Sequence, residues 1–180
     1  MEKEIINTIK ILKKGGLILY PTDTIWGIGC DATNADAIKK IYLLKKRENS
    51  KALISLVANK EQLYNYTKYI PKEAFNVNPT TIIYTQISGF PKNLLAEDGS
   101  LAIRIVQDEF CREVINRFGK PIVSTSANIS NFKSPKKFSE ISKKIIYNVD
   151  YLVSLRKDEI MQKPSTILKL NNNSTLTKIR

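Results

Sequence analysis

The chain has 180 residues, 42% of them hydrophobic, which suffices for one well-buried domain and is short for two. Lys and Arg number 29 against 17 Asp and Glu, a formal charge of +12, so the expected partners are anions: a nucleotide, a nucleic acid or an acidic surface. There is no His, which excludes Ser-His and Cys-His nucleophile systems and removes the commonest zinc ligand.

Ile5, Ile6, Ile9 and Leu12 recur at helical spacing and Gly15-Gly16 supply a stop, predicting an amphipathic first helix. It feeds a short β-prone run, Leu17 to Tyr20, stopped by Pro21 and followed by the polar turn Thr22-Asp23-Thr24. A polar turn at a strand end is where α/β proteins hold ligands. Asn34 is an N-cap for a second helix with Ala35, Ile38, Ile41 and Tyr42 on its apolar face, running out near Lys45-Lys46-Arg47. One of those cations complements the helix dipole; the dipole does not account for Lys51 following so closely.

Ala52 to Val57 has strand length, Asn59 caps a short helix through Leu63 and Tyr64, and Pro71 starts another short helical piece. Thr80 to Thr85 is a β-branched strand and Gly89 to Ser100 a loop. Leu101 to Val106 is a strand with Arg104 inside it, and an Arg there must reach either solvent or a partner anion. Asp108 caps a helix carrying Phe110, Val114, Ile115 and Phe118, which Gly119 and Pro121 end. Ile122-Val123 leads into Ser124-Thr125-Ser126-Ala127-Asn128-Ile129-Ser130, a strand ending in a hydroxyl-rich turn that suits phosphate or carboxylate oxygens. Lys136 to Ile146 reads as a basic amphipathic helix, Tyr151 to Leu155 as a strand, and Ser165 to Arg180 as a terminal hairpin turning at Asn171 to Ser174.

Strands alternating with helices predict an α/β (mixed α+β) domain over 1–180: a twisted mixed, partly antiparallel sheet flanked by helices. Cys30 and Cys111 lie far apart without metal-ligand spacing, predicting buried free thiols, no metal site and a cytoplasmic setting. No apolar run approaches the roughly 20 residues of a membrane span, and Met1 to Glu4 lacks a signal-peptide pattern.

Four short patterns occur in order: Pro21-Thr-Asp-Thr24 with Gly27 and Gly29, Lys45-x-Arg47, Ser126-x-Asn128, and Pro164-Ser-Thr-Ile167. Together they resemble the opening motif, the K-x-R and S-x-N tetrad and the late P-S-T-I motif of the YrdC-like family, over essentially the whole chain. The resemblance implies a basic concave cavity, and an enzyme of the short, single-domain TsaC type. Its reaction would join L-threonine, bicarbonate and ATP into threonylcarbamoyl-AMP, releasing pyrophosphate. The product would pass to tRNA-modification partner proteins for threonylcarbamoyladenosine formation next to the anticodon. Lys45 and Arg47 would be catalytic; Arg47, Lys51, Ser100, Asn128, Lys136 and Arg180 would hold ATP. Thr24, Arg104, Ser126 and Ser165 would hold L-threonine, with the backbone near Leu56 lining its pocket and Arg104 pairing with the carboxylate. Magnesium would be carried by the nucleotide.

The chemistry needs no His, because the carbamate formed from threonine and bicarbonate is already anionic when it attacks the α-phosphorus. What it needs is cations that neutralise the phosphates. Glu48, Val106 and Asn131 depart from the family pattern where Pro, Pro and Ser-Gly are usual, and Trp26 replaces a frequent Tyr or Phe. Two rival readings stand beside this one. In the first, the charge and Tyr64, Tyr66 and Tyr69 serve an RNA-binding module, and weak tRNA binding is also compatible with the enzyme. In the second, the chain is a YrdC-like paralogue acting on another carbamoyl or acyl adenylate.

Overall fold

The computed structural model describes residues 1–46 and 53–180. Helix α1 (Glu2–Lys13) precedes β1 (Ile18–Tyr20) and β2 (Gly27–Gly29); α2 (Ala35–Lys45), β3 (Ile54–Val57) and α3 (Lys60–Tyr64) follow. Then come β4 (Thr80–Tyr84), β5 (Leu101–Ile105), α4 (Glu109–Phe118), β6 (Ile122–Ser126), α5 (Lys143–Ile146), β7 (Tyr151–Leu152), β8 (Thr166–Leu170) and β9 (Leu176–Lys178). Among the described residues the strands form one mixed sheet in the order β7-β1-β2-β6-β3-β5-β4-β8-β9. The β1–β7, β3–β5 and β4–β8 pairs are parallel and the other neighbours antiparallel.

The helix starts follow from side-chain caps, as the sequence predicts. Asn34 accepts from Ala37 N at 3.0 Å, Asn59 from Gln62 N at 2.8 Å, and Asp108 from Cys111 N at 2.8 Å. Each such cap is worth about 1 kcal/mol. Gly119 ends α4 with φ at 78°, a conformation that costs glycine nothing.

Alternation along the strands sorts their side chains into two cores. Ile18, Tyr20, Leu56 and Ile122 join Ile5 and Leu12 of α1 and Phe110, Val114 and Ile115 of α4 on one face. Leu19, Ile28, Val57, Ile82 and Ile103 pack with Ile38 and Ile41 of α2 on the other. Full burial of each such aliphatic side chain contributes about 1.5–3 kcal/mol. The α1–α4 core includes Leu56, while Ile54, two residues back, lines an open cavity. The helices thus cover only part of that face, and the rest is free to form a site.

Several expectations need correction. Ile6 is 56% exposed, and Thr8 takes its place inside. The glycine-rich stretch after the polar turn, for which the sequence pattern predicts no element, is an interior strand, β2. A Cβ on Gly29 would lie 2.5 Å from the Val123 carbonyl and 2.7 Å from the Tyr20 ring, so only glycine lets the backbones approach this closely. The segment from Lys136 to Ile146 is not one helix: a helical turn at Phe138–Glu140 stops at Ile141, and Ser142 caps a new start at α5. The strand expected to reach Leu155 pairs only over Tyr151–Leu152. Ala52, the expected start of β3, lies outside the described residues.

Candidate functional site

A cavity of about 700 Å³ opens on the uncovered part of the α1–α4 face, a volume within the roughly 300–1,000 Å³ typical of small-molecule sites. Its floor is built from alternate residues of neighbouring strands: Ile54, Ala102 and Arg104, Ser124 and Ser126, Ile83 and Ile167. Thr24 and Ile25 of the polar turn form one wall; 134–136, Gln162 and Pro164 bring a second. Ser165 and Arg180 close the hairpin side. Arg104, Lys136 and Arg180 are the cations of its described lining, and no carboxylate is among those described residues. Three positive groups converging on a concavity with apolar walls make a site for an anion.

Arg104 reaches the cavity because β5 alternates: Leu101 and Ile103 enter the α2-side core, and Ala102 and Arg104 face the other way. It is 3% exposed, and its Nη2 donates to Asp23 Oδ1 at 2.7 Å and to Thr24 Oγ1 at 3.4 Å. Its Nε is buried with no partner among the described residues, and the residue itself lines the cavity. Asp23 also accepts from Gln107 N at 3.2 Å, which fixes the carboxylate between the turn and the end of β5.

The polar turn is organised around Thr22. Its hydroxyl accepts from Thr24 N at 3.0 Å and Ile25 N at 3.2 Å and donates to Ile25 O at 2.8 Å. The two hydroxyls also lie 2.9 Å apart, and either can be the donor. Thr24 Oγ1 in turn accepts from Arg104 Nη2 at 3.4 Å. Below the turn, Cys111 Sγ donates to Pro21 O at 3.3 Å, and burial pushes its thiol well above the ordinary range. Arg156 braces the turn from outside, donating to Thr22 O at 3.2 Å and pairing with Asp108 at 2.5 Å.

On the hairpin side, Ser165 Oγ meets Thr81 Oγ1 at 2.8 Å, and Arg180 donates to Ser165 O through Nε at 3.2 Å and Nη2 at 3.1 Å. Burial first, and the charge of Arg104 second, push Arg180 down from its ordinary value. Two arginines that feel each other's charge favour an anion between them.

The structure thus brings together Thr24, Arg104, Ser126, Lys136, Ser165 and Arg180 from the sequence-derived set. Leu56 is buried one turn of the pleat away from the lining. Ser100 is 4% exposed, and its hydroxyl and amide both donate to Asp98, which together with Lys169 hold that carboxyl down at about 2. Lys45 and Asn128 bond to each other behind the Ser126 turn and are not among the lining residues. Arg47 and Lys51 lie outside the described residues, as does Glu48. Sequence reasoning passed over Asp23, although the rule that an Arg inside an apolar strand needs an anion pointed to the carboxylate of the polar turn.

The departures have physical readings. Asn131 takes φ at 70°, the left-handed conformation that Gly supplies elsewhere and that Asn tolerates best among other residues. Val106 N donates to Val57 O at 3.0 Å, a bond that proline cannot make. Trp26 is fully buried, its ring centroid 5.2 Å from that of Phe138.

A mixed sheet with one half-open face, polar turns converging there and, among the described residues, cations without carboxylates in the lining define a small-molecule site for anionic ligands. The chain belongs to the Sua5/YciO/YrdC family, whose model, described as telomere recombination, matches residues 10–180. A threonylcarbamoyl-AMP synthase of Psychromonas ingrahamii is 31% identical over 187 residues, covering 99% of this chain and 97% of the relative. Among solved structures, P. abyssi Sua5 complexed with L-threonine superposes with a TM-score of 0.84 at 24% identity, over 100% of this chain. This chain spans only 54% of that Sua5 chain. E. coli YciO superposes with a TM-score of 0.85 at 21% identity, over 100% of this chain and 89% of its own. At these identities the two structures attest the fold. No described helix is long and apolar enough to cross a membrane.

Proposed function

We infer that the chain is a threonylcarbamoyl-AMP synthase, condensing L-threonine, bicarbonate and ATP with release of pyrophosphate. The observation that carries the reading is Arg104: a buried guanidinium with donor capacity beyond its contacts to Asp23 and Thr24, on the floor of a cavity whose described lining holds no carboxylate, among the hydroxyls of Thr24, Ser126 and Ser165. The naming of near-full-length relatives at 31% identity supports the same reaction.

In this reading the threonine carboxylate meets Arg104 with charge-assisted hydrogen bonds, and Thr24 and Ser165 receive its polar groups. The free amine of threonine forms a C–N bond to the carbon of bicarbonate, and water leaves. The resulting carbamate oxygen attacks the α-phosphorus of ATP; the bond to the bridging oxygen breaks and pyrophosphate carries the electron pair away. Ser126 serves the threonine end of the cavity, while Arg180 and Lys136 face the phosphates, where charge moves during that displacement, and each well-placed donor is worth about 3 kcal/mol of barrier. Arg47 and Lys51 are further phosphate ligands by the same reading. The described residues hold no group of three Asp, Glu, Cys or His able to cage a metal. Magnesium carried by the nucleotide belongs to the same reading. Delivery of the adenylate to tRNA-modification partners, in the cytoplasm, belongs to the same proposal.

The test is pyrophosphate release from ATP in bicarbonate buffer. Release that requires L-threonine and yields the carbamoyl-adenylate supports the reading; equal release with glycine or alanine overturns the pocket.

A further inference from the structure

Lys45 is a lysine deep inside a protein, 1% exposed, at the last turn of α2. An ammonium in that position is costly unless every N–H is met. Here Nζ donates to the Ser126 carbonyl, to the Asn128 carbonyl at 2.6 Å and to Asn128 Oδ1 at 3.3 Å. An ammonium has three donors, and among the described residues three acceptors stand within hydrogen-bond reach of it. The same residue grips the turn a second time through its backbone, its carbonyl accepting from Ser130 N at 2.9 Å. Within the loop so held, Ser126 Oγ donates to Asn128 Oδ1, and Asn128 Nδ2 donates to Phe132 O.

All these contacts converge on one stretch, 126–132, and only Ser126 of that stretch lines the cavity. We propose that Lys45 is a positioning residue: its ammonium ties three oxygens of the Ser126–Asn128 turn to the end of α2, fixing Ser126 at the cavity without touching the nucleotide. A phosphate could take one of its N–H groups only by displacing one of these oxygens, of which the Ser126 carbonyl also accepts from Asn128 N at 2.8 Å and Asn128 Oδ1 from Ser126 Oγ. The part of the proposal that concerns ligands rests on the synthase reading above; the part that concerns the turn does not.

The experiment has two arms. In the first, Lys45→Met in the full chain keeps the side-chain volume and removes the donors. Without any substrate, amide hydrogen exchange at Ala127, Asn128 and Ser130 is expected to quicken about tenfold or more, the scale of losing one net hydrogen bond, while β5 and α4 keep their protection. Calorimetric L-threonine affinity without ATP falls about tenfold through Ser126. Unchanged exchange in the turn, or intact threonine affinity with lost ATP affinity, overturns the proposal. In the second arm, wild-type protein is treated with an amine-acylating reagent with and without ATP. Lys45 is expected to stay unmodified in both, whereas Lys136 is modified and ATP protects it. A Lys45 that is modified in the free protein and protected by ATP overturns the proposal, even if Lys45→Met fails to fold. Failure of the wild-type chain to bind threonine overturns the synthase reading instead, and the exchange result then stands by itself.

Discussion

Arg104→Lys separates charge from geometry at the cavity floor. Lysine keeps the positive charge, so Asp23, 9% exposed, keeps a partner and the fold should survive. What lysine lacks is the fork. In Arg104, Nη2 serves both Asp23 at 2.7 Å and Thr24 at 3.4 Å, and the planar fork carries further N–H groups that a single ammonium lacks. A single ammonium drawn to Asp23 leaves at least one charge-assisted hydrogen bond to the ligand carboxylate unmade, a loss of about 1.5–3 kcal/mol. That corresponds to about a 10- to 150-fold rise in the threonine requirement. With ATP saturating, pyrophosphate release at increasing L-threonine gives that number; with threonine saturating, the ATP KM should change less than about twofold. Arg104→Ala supplies the contrast, because it strands Asp23 without its ion pair. Breaking a buried pair costs about 3–5 kcal/mol, so its melting temperature should fall by roughly 10 °C. An unchanged threonine KM in Arg104→Lys, or an ATP KM that rises in parallel, would refute the assignment of Arg104 to the amino-acid carboxylate.

Arg180→Ala removes two hydrogen bonds to the Ser165 carbonyl but leaves the backbone pairing with Ile167. It should raise the ATP KM about tenfold or more with a melting temperature within a few degrees of wild type, and full ATP use would remove Arg180 from the site. Asn131→Gly should be neutral or stabilising by a few tenths of a kcal/mol, because the position already has φ at 70°; a clear drop in melting temperature would count against the left-handed turn. Asp98 has a folded-state value of about 2 against an ordinary 3.8. Its small contribution to stability is therefore present above about pH 4 and lost as pH falls toward 2. Melting curves of Asp98→Asn and wild type should converge over that interval, and curves that stay parallel would show that the carboxylate is not held by Ser100 and Lys169.

Much of this architecture is legible in the residues. Asn34, Asn59, Asp108 and Gly119 mark helix ends through local chemistry that needs no tertiary partner, and the structure uses all four. The strand Gly27–Gly29 escapes such reading because its glycines signal a loop locally. Their reason lies across the sheet, at the Val123 carbonyl and the Tyr20 ring. The segment around Phe138 misleads in the opposite sense: its spacing is helical, but Trp26 packs on the Phe138 ring, Met161 N bonds the Lys136 carbonyl, and the helical turn stops at Ile141. For the site, hydroxyls and cations follow from resemblance, whereas the Asp23–Arg104 pair is visible only once β5 stands beside the polar turn.

The register of the sheet also governs how the site comes into being. Ile18 pairs with Tyr151, Leu56 with Arg104 and Thr80 with Thr166, so nearly every wall of the cavity waits for a partner from a distant part of the chain. Loop closure of that range must precede any reward from pairing, which places such topologies among the slower folders and leaves few stable sub-structures on the way. Hairpins such as β8–β9 can form early, but they carry Arg180 and not Arg104. Ligand binding should therefore return in refolding experiments with the last kinetic phase, in step with the sheet as a whole.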